Sequence, residues 1–273
     1  MKRSLLIWVG IIILIAIAGP WLVHYSPTEI KLEDALRGPS WSHLLGTDNQ
    51  GRDVLSRVVY GSRLSIGIGL LAAGISVIAG LLVGLIAGYS GGVCDKILCI
   101  LIDITLSFPS LLLAIGITVV LPPGFWSVIL ALSLAGWAGF ARFTRGLVWN
   151  LKNSGYIEAA GALGAGKIRI ITRHVLPNCL PLVAVAGFLK LGIFILGEAS
   201  LGFLGLGVPP PVPTWGGMIN YGREFIQIAP WIVIFPGLAL AFTVSICNLL
   251  GDNIRDRLDP KGRCGNINGY KKV

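Results

Sequence analysis

Charge is what this sequence has least of. Only 13% of its 273 residues are Asp, Glu, Lys or Arg, against 54% hydrophobic, and the mean hydropathy is +0.79. A soluble domain of this length needs a larger charged share to cover its surface, so a water-soluble globular fold is excluded. Metal ligands are scarce too. Met1, Met218, His24, His43 and His174 are the only Met and His residues. None falls at mid-span, so a bare-metal route through ligating side chains is not supported. The cysteines, Cys94, Cys99, Cys179, Cys247 and Cys264, form no C-x-x-C pair and suggest neither a zinc site nor a redox motif. No internal repeat stands out, and no metal or cofactor is expected.

Long apolar stretches are what the chain has in abundance. Six of them run approximately over Leu5–Val23, Leu64–Gly88, Ile97–Leu121, Phe125–Phe143, Leu180–Leu204 and Ala229–Leu250. Each can cross ~30 Å of hydrocarbon as a helix rising ~1.5 Å per residue. The expected fold class is an all-α membrane protein with six transmembrane helices. Lys2-Arg3, followed by an apolar run containing Ala16-Ile17-Ala18, has some features of a cleaved secretory signal. The run continues to Val23, as a span would. Either way, the segment after it lies outside.

Loop charges set the orientation. Arg142, Arg145, Lys152, Lys167, Arg169 and Arg173 face the single acid Glu158, and Arg255, Arg257, Lys261, Arg263, Lys271 and Lys272 fill the tail. The loop His24–Tyr60 instead mixes Lys31, Arg37, Arg52 and Arg57 with Glu29, Glu33, Asp34, Asp48 and Asp53. Both termini and the 142–179 loop therefore read as cytoplasmic. The net charge of +9 follows from that bias and needs no nucleic-acid partner. Outside, Gly207–Pro230 carries Val208-Pro209-Pro210-Pro211-Val212-Pro213, an extended stretch with no room for a helix.

One cytoplasmic stretch mimics a nucleotide loop. Gly161-Ala162-Leu163-Gly164-Ala165-Gly166-Lys167-Ile168 falls one residue short of the phosphate-cradling G-x-x-x-x-G-K-[ST] pattern, with Ile168 where a magnesium-binding hydroxyl belongs. Asn153-Ser154-Gly155-Tyr156-Ile157-Glu158 before it is helix-start chemistry rather than the apolar strand such a loop needs. Leu98–Asp103 and Gly46–Asp53 are weaker mimics, so an ATPase is not expected. The spacing predicts instead a short helix over 156–165. Ser154 or Gly155 caps it, Glu158 sits in its first turn, and Gly164 and Gly166 stop it. Tyr156, Ala159, Ala160 and Leu163 share one face, small enough for close docking into a groove.

Glu158-Ala159-Ala160, Gly164 and Leu176-Pro177 together resemble the EAA loop of bacterial ABC-importer permeases. Arg173-His174-Val175-Leu176-Pro177-Asn178 is similar to the peptide/nickel branch. Leu45–Arg57 with Gly61 and Arg63, Ser107-Phe108-Pro109, Phe203–Pro210, Trp215-Gly216, and Gly251-Asp252 with Leu258-Asp259-Pro260 resemble that branch's C-type subunit. Gly161 and Gly202 depart from the family's usual Arg or Lys and Ser.

The resemblance covers about residues 41–260. It implies a permease domain there, after an N-terminal anchor and loop start over 1–40 and before a tail over 261–273. It also implies a coupling helix between helices 4 and 5, carried by Glu158, Ala159, Ala160, Leu163, Gly164 and Pro177. The implied partners are a second homologous permease subunit, two cytoplasmic ATP-binding subunits, an extracytoplasmic solute-binding protein and the bilayer of a bacterial inner or plasma membrane. The chain itself would perform no chemistry. Di- or oligopeptides are the first expectation for cargo, with nickel or a metal chelate as the alternative.

Ionisable residues at membrane depth are costly and tend to face a pathway. Asp103 and Glu198 are therefore candidates for the translocation path, with Lys190 at similar depth. Asp103 has a structural alternative, pairing with Lys96 or Arg142. A stand-alone transporter driven by an ion gradient through Asp103 or Glu198 is the distant alternative. Asp48, Arg52 and Trp215, in outer segments 41–60 and 207–228, are the candidates for docking the binding protein.

Overall fold

A computed structural model of the chain describes residues 23–258 and, before them, Gly10, Ala18, Gly19 and Trp21. Most of the expected first span and the tail from Asp259 onward lie outside the described residues. Within them the fold is all-α, and the one β contact is an isolated bridge between Thr47 and Asp53.

The first long helix, α1 (Val54–Ser90), starts ten residues before the apolar stretch that signals it. Asp53 accounts for the early start, since its carboxylate accepts from the Ser56 N–H and hydroxyl at 2.8 Å and so caps the first turn. The outer loop expected to reach Tyr60 ends at Asp53 instead. Gly91 and Gly92, at φ +66° and +60°, turn the chain straight into α2 (Gly92–Ser107). Only glycine adopts that conformation without strain.

The third apolar stretch corrects the sequence reading most clearly. Ile97–Leu121 is not one straight span: α2 ends at Ser107, α3 (Ser110–Val120) begins at Ser110, and the two are bent by 91°. Pro109 forces the break. It carries no N–H, and it pushes Phe108 out of the helical region to φ −94°, ψ +138°.

Helix α4 (Phe125–Lys152) runs on past the expected end at Phe143. The loop expected over 142–179 shrinks to short connections around α5 (Gly155–Ala162). The next helix, α6 (Lys167–Phe203), starts well before the expected Leu180. Pro177 lacks the N–H that would bond back one turn, and just ahead of it Ile171–Val175 opens into a π turn closed by the Leu176 N–H on the Ile171 carbonyl. In the segment expected outside, α7 (Trp215–Gly222) begins directly after the prolines, capped by Thr214, and α8 (Trp231–Leu258) returns through the bundle. Helices α1, α4, α6 and α8 are long and apolar enough to cross a membrane, and the bent α2–α3 pair makes a fifth if it counts as one span.

Between α1 and α4 the contact is backbone against backbone. Gly80, Gly84 and Gly88 line one stripe of α1. A Cβ added to them would lie 2.4 Å from Phe140 Cβ, 2.5 Å from Thr144 Cβ and 2.8 Å from Val148 Cβ. Lipid supplies no hydrophobic drive between helices, so close van der Waals packing must hold them. Gly84→Ala is expected to destabilise the fold by about 1–3 kcal/mol through overpacking. Gly74→Ala on the same helix, with nothing within 4 Å, is expected to be neutral. Thermal unfolding in detergent checks the pair, and equal midpoints would contradict the close-packing account.

Candidate functional site

At one end of the bundle α5 projects on one buried side chain. Ile157, 4% exposed, packs with Leu81, Leu85, Val148, Ile170 and Val175, which join the ends of α1, α4 and α6. The Tyr156 ring meets His174 edge-on at 6.4 Å, adding a second tie to the π turn. Glu158, Ala159 and Gly164 are exposed and Ala160 is half-buried, while Leu163 is 90% exposed. Pro177 is exposed at the start of the main run of α6.

Helix α5 is shorter than expected, ending at Ala162 rather than 165. Its end is fixed by a paired closure in which the Gly164 N–H bonds to the Gly161 carbonyl at 3.0 Å and the Ala165 N–H to the Ala160 carbonyl at 3.1 Å. This is a Schellman cap with Gly164 left-handed at φ +85°. Nothing lies within 4 Å of a Cβ built on Gly164, so its requirement for glycine comes from the backbone and not from neighbours. At the start, the Ser154 carbonyl accepts from Ile157 and Glu158, but its hydroxyl bonds back to Leu151. Glu158 makes no ion pair among the described residues.

The same end is braced by groups the sequence reading passed over. Arg145 donates two hydrogen bonds to Asp95, at 2.6 and 2.7 Å, clamping α4 to α2. Lys152 Nζ donates to the Tyr89 carbonyl at 2.8 Å and lies over its ring. The signal was present, since Asp95 is the lone acid at the start of an apolar run and needs a cation close by.

The membrane-depth ionisable residues separate. Asp103 accepts from Arg142 Nη2, so its structural alternative with Arg142 is realised, and both side chains stay more than half exposed. Glu198 is wholly buried and does not line the cavity that Lys190 lines. Neither of its oxygens has a partner of strict hydrogen-bond geometry, although the Ser65 and Thr214 hydroxyls face it closely enough to interact. Both hydroxyls already accept from backbone N–H groups, Ser65 from Trp215 at 3.1 Å and Thr214 from Gly217 at 3.2 Å. Their own protons are thereby free to point at the carboxylate. Gly216 lies directly on α6 here, since a Cβ on it would be 2.2 Å from the Ala199 carbonyl oxygen. Glu198 thus sits beneath the positive end of α7.

The three outer candidates are also inside. Asp48 accepts from Arg52 Nε at 2.6 Å and from the Gln50 and Arg52 N–H groups. Arg57 shares Asp48 at 3.5 Å and donates to the Pro27 carbonyl at 2.8 Å, which ties the 23–53 loop to α1. Trp215 is 2% exposed and donates from Nε1 to the Val58 carbonyl at 3.0 Å. These residues are buried within this end of the fold, whereas Trp41 is 98% exposed.

Comparison with known proteins agrees with this architecture. The sequence profile of the family described as binding-protein-dependent transport system inner membrane component matches residues 80–263. The dipeptide transport system permease protein DppC of Alkalihalophilus pseudofirmus is 43% identical over 266 residues, covering 96% of this chain and 88% of that protein. The di/tripeptide permease DppC of Pseudomonas aeruginosa is 42% identical, with 94% and 86% covered. The oligopeptide permease OppC of Bacillus subtilis is 40% identical, with 94% and 85% covered. Among solved structures, an inward-facing form of the MetNI methionine ABC transporter aligns with a TM-score of 0.59 at 21% identity, over 73% of this chain and 95% of that one. The chain belongs to the family of inner-membrane components of binding-protein-dependent transport systems.

Proposed function

We propose that the chain is the C-type permease subunit of an ATP-driven importer, forming half of a pathway for di- or oligopeptides. The observation that carries this is α5. An eight-residue helix held by one buried residue is too short to be stable alone, and its exposed face of Ala159, Leu163 and Gly164 is flat enough to enter a groove. A partner that hydrolyses ATP supplies that groove. Closure of two such subunits moves α5, and Ile157 passes the movement to the ends of α1, α4 and α6. The bundle then alternates between its two openings, driven by contacts that differ between the two ATPase states. The chain performs no chemistry itself. In this reading six spans, both termini on the α5 side and a second homologous permease complete the assembly. The domain runs over 41–260, between the 1–40 anchor and the 261–273 tail.

Cargo follows from the relatives, whose names specify di-, tri- and oligopeptides and favour peptide over nickel or a metal chelate. The ion-driven alternative is weakened by its own residues, since Asp103 is engaged by Arg142 and Glu198 is sealed from water. An extracytoplasmic binding protein delivers the peptide to the outer face, whose shape Asp48, Arg52 and Trp215 maintain.

Gly164→Leu forces a branched side chain into a left-handed turn at about 1–2 kcal/mol and places it on the docking face. Membrane insertion is expected to be normal, with ATP-driven uptake reduced about tenfold. Unchanged uptake in an assembled complex would sink the coupling role. A photocrosslinker in place of Trp41 is expected to capture the binding protein, and one in place of buried Trp215 is not. Failure at Trp41, with capture elsewhere on the outer face, would move the docking site.

A further inference from the structure

A cavity of about 380 Å³ lies against the broken span, walled by Leu106 and Ser110 on α2 and α3, Gly136 and Gly139 on α4, and Gly197 on α6. Its single ionisable lining residue is Lys190, near the midpoint of Leu176–Phe203. The ammonium lies 5.2 Å from the centre of the Phe140 ring, over a shelf where a Cβ on Gly139 would come within 3.2 Å of it. It makes no ion pair among the described residues. Asp103 is taken by Arg142, and Glu198, two turns further along α6, is buried elsewhere. The Asp103–Arg142 pair continues the same face towards the α5 end. Asp103 lies one turn before Leu106 on α2, and Arg142 one turn after Gly139 on α4.

A bare cation at mid-span costs several kcal/mol against lipid and marks a water-filled route or a visiting anion. The cavity edge reinforces the sign of the charge. Helix α3 opens there at Ser110 with no side-chain cap, and the start of a helix carries a partial positive charge. We propose that Lys190 is the point at which the C-terminal carboxylate of a peptide in transit is held, while the apolar walls accept side chains without regard to sequence. This rests on the peptide-importer reading. The same carboxylate chemistry could instead come from an acidic side chain of the second permease subunit, and the two sources give different results below.

The test uses the assembled complex in proteoliposomes, with its binding protein outside and ATP at the ATPase side. Uptake of one labelled tripeptide is measured as the free acid and as the C-terminal amide. The binding protein's own preference is common to all variants and cancels when acid-to-amide ratios are compared. Lys190→Met is expected to lower that ratio about tenfold relative to the unmodified complex, and Lys190→Arg to restore most of it. Lys190→Gln, which keeps the length and a polar end, serves if the Met variant does not assemble. An unchanged ratio overturns the proposal. Acid and amide uptake falling together does so as well, and assigns Lys190 to the partner subunit's carboxylate. If the unmodified complex moves neither peptide, the peptide-importer reading itself fails and this proposal with it.

Discussion

The approach of α1 to α4 through Gly80, Gly84 and Gly88 governs the rest of the bundle. In water such a contact would be reinforced by burial of apolar surface, but between lipid-facing helices that drive is absent and packing must replace it. Removing three side chains from one stripe lets the α1 backbone lie against Phe140, Thr144 and Val148. Everything that acts at the α5 end is registered to this pair. Arg145 reaches Asp95 from the α4 side, Lys152 reaches Tyr89 on α1, and Ile157 seats between the two helices and α6.

That arrangement joins a rigid element to a light one. The α1–α4 pair is the frame; α5 is a small lever fixed to it through one isoleucine and one aromatic contact. A lever of this kind can be pushed without breaking the frame, which is what coupling to an ATP-hydrolysing neighbour requires. At the opposite end the logic is reversed. Asp53, Arg57 and Trp215 tie the segments around them to α1 by hydrogen bonds, and Glu198 sits beneath α7 with the Ser65 and Thr214 hydroxyls close by. That end is pinned to α1 at several points, whereas α5 hangs on Ile157 and the Tyr156–His174 contact alone.

Much of this was legible in the sequence, for identifiable reasons. Apolar length located α1, α4, α6 and α8, because crossing a bilayer demands it. Gly164 announced a helix stop, and the structure makes it the left-handed residue of a Schellman cap. Where the reading failed, local chemistry outweighed composition. Hydropathy averaged across Phe108-Pro109 and so missed the 91° bend, although a proline inside an apolar run was the visible warning. Helix starts at Val54 and Lys167 were missed because they are set by a cap and a π turn rather than by apolar content. Asp48, Arg52 and Trp215 stand out in the sequence as docking candidates in the expected outer segments, and Glu198 as an ionisable group at membrane depth. Trp215 and Glu198 are buried by partners far away in the chain, Val58 for Trp215 and Ser65 for Glu198, which no local pattern encodes, whereas Asp48 and Arg52 hold each other four residues apart. The glycine stripe was readable as repeated G-x-x-x-G, but only once α1 is known to face another helix.

Seating of α5 in an ATP-hydrolysing partner during transport can be read from a single crosslink. Leu163→Cys places a thiol on the most exposed apolar residue of the segment, to be paired with cysteines along the groove of the ATP-binding subunit. The account predicts a disulfide that forms in the assembled complex, abolishes ATP-driven uptake, and releases it on reduction. A complex that hydrolyses ATP and transports normally, while no position in the groove ever bonds to residue 163, would contradict it.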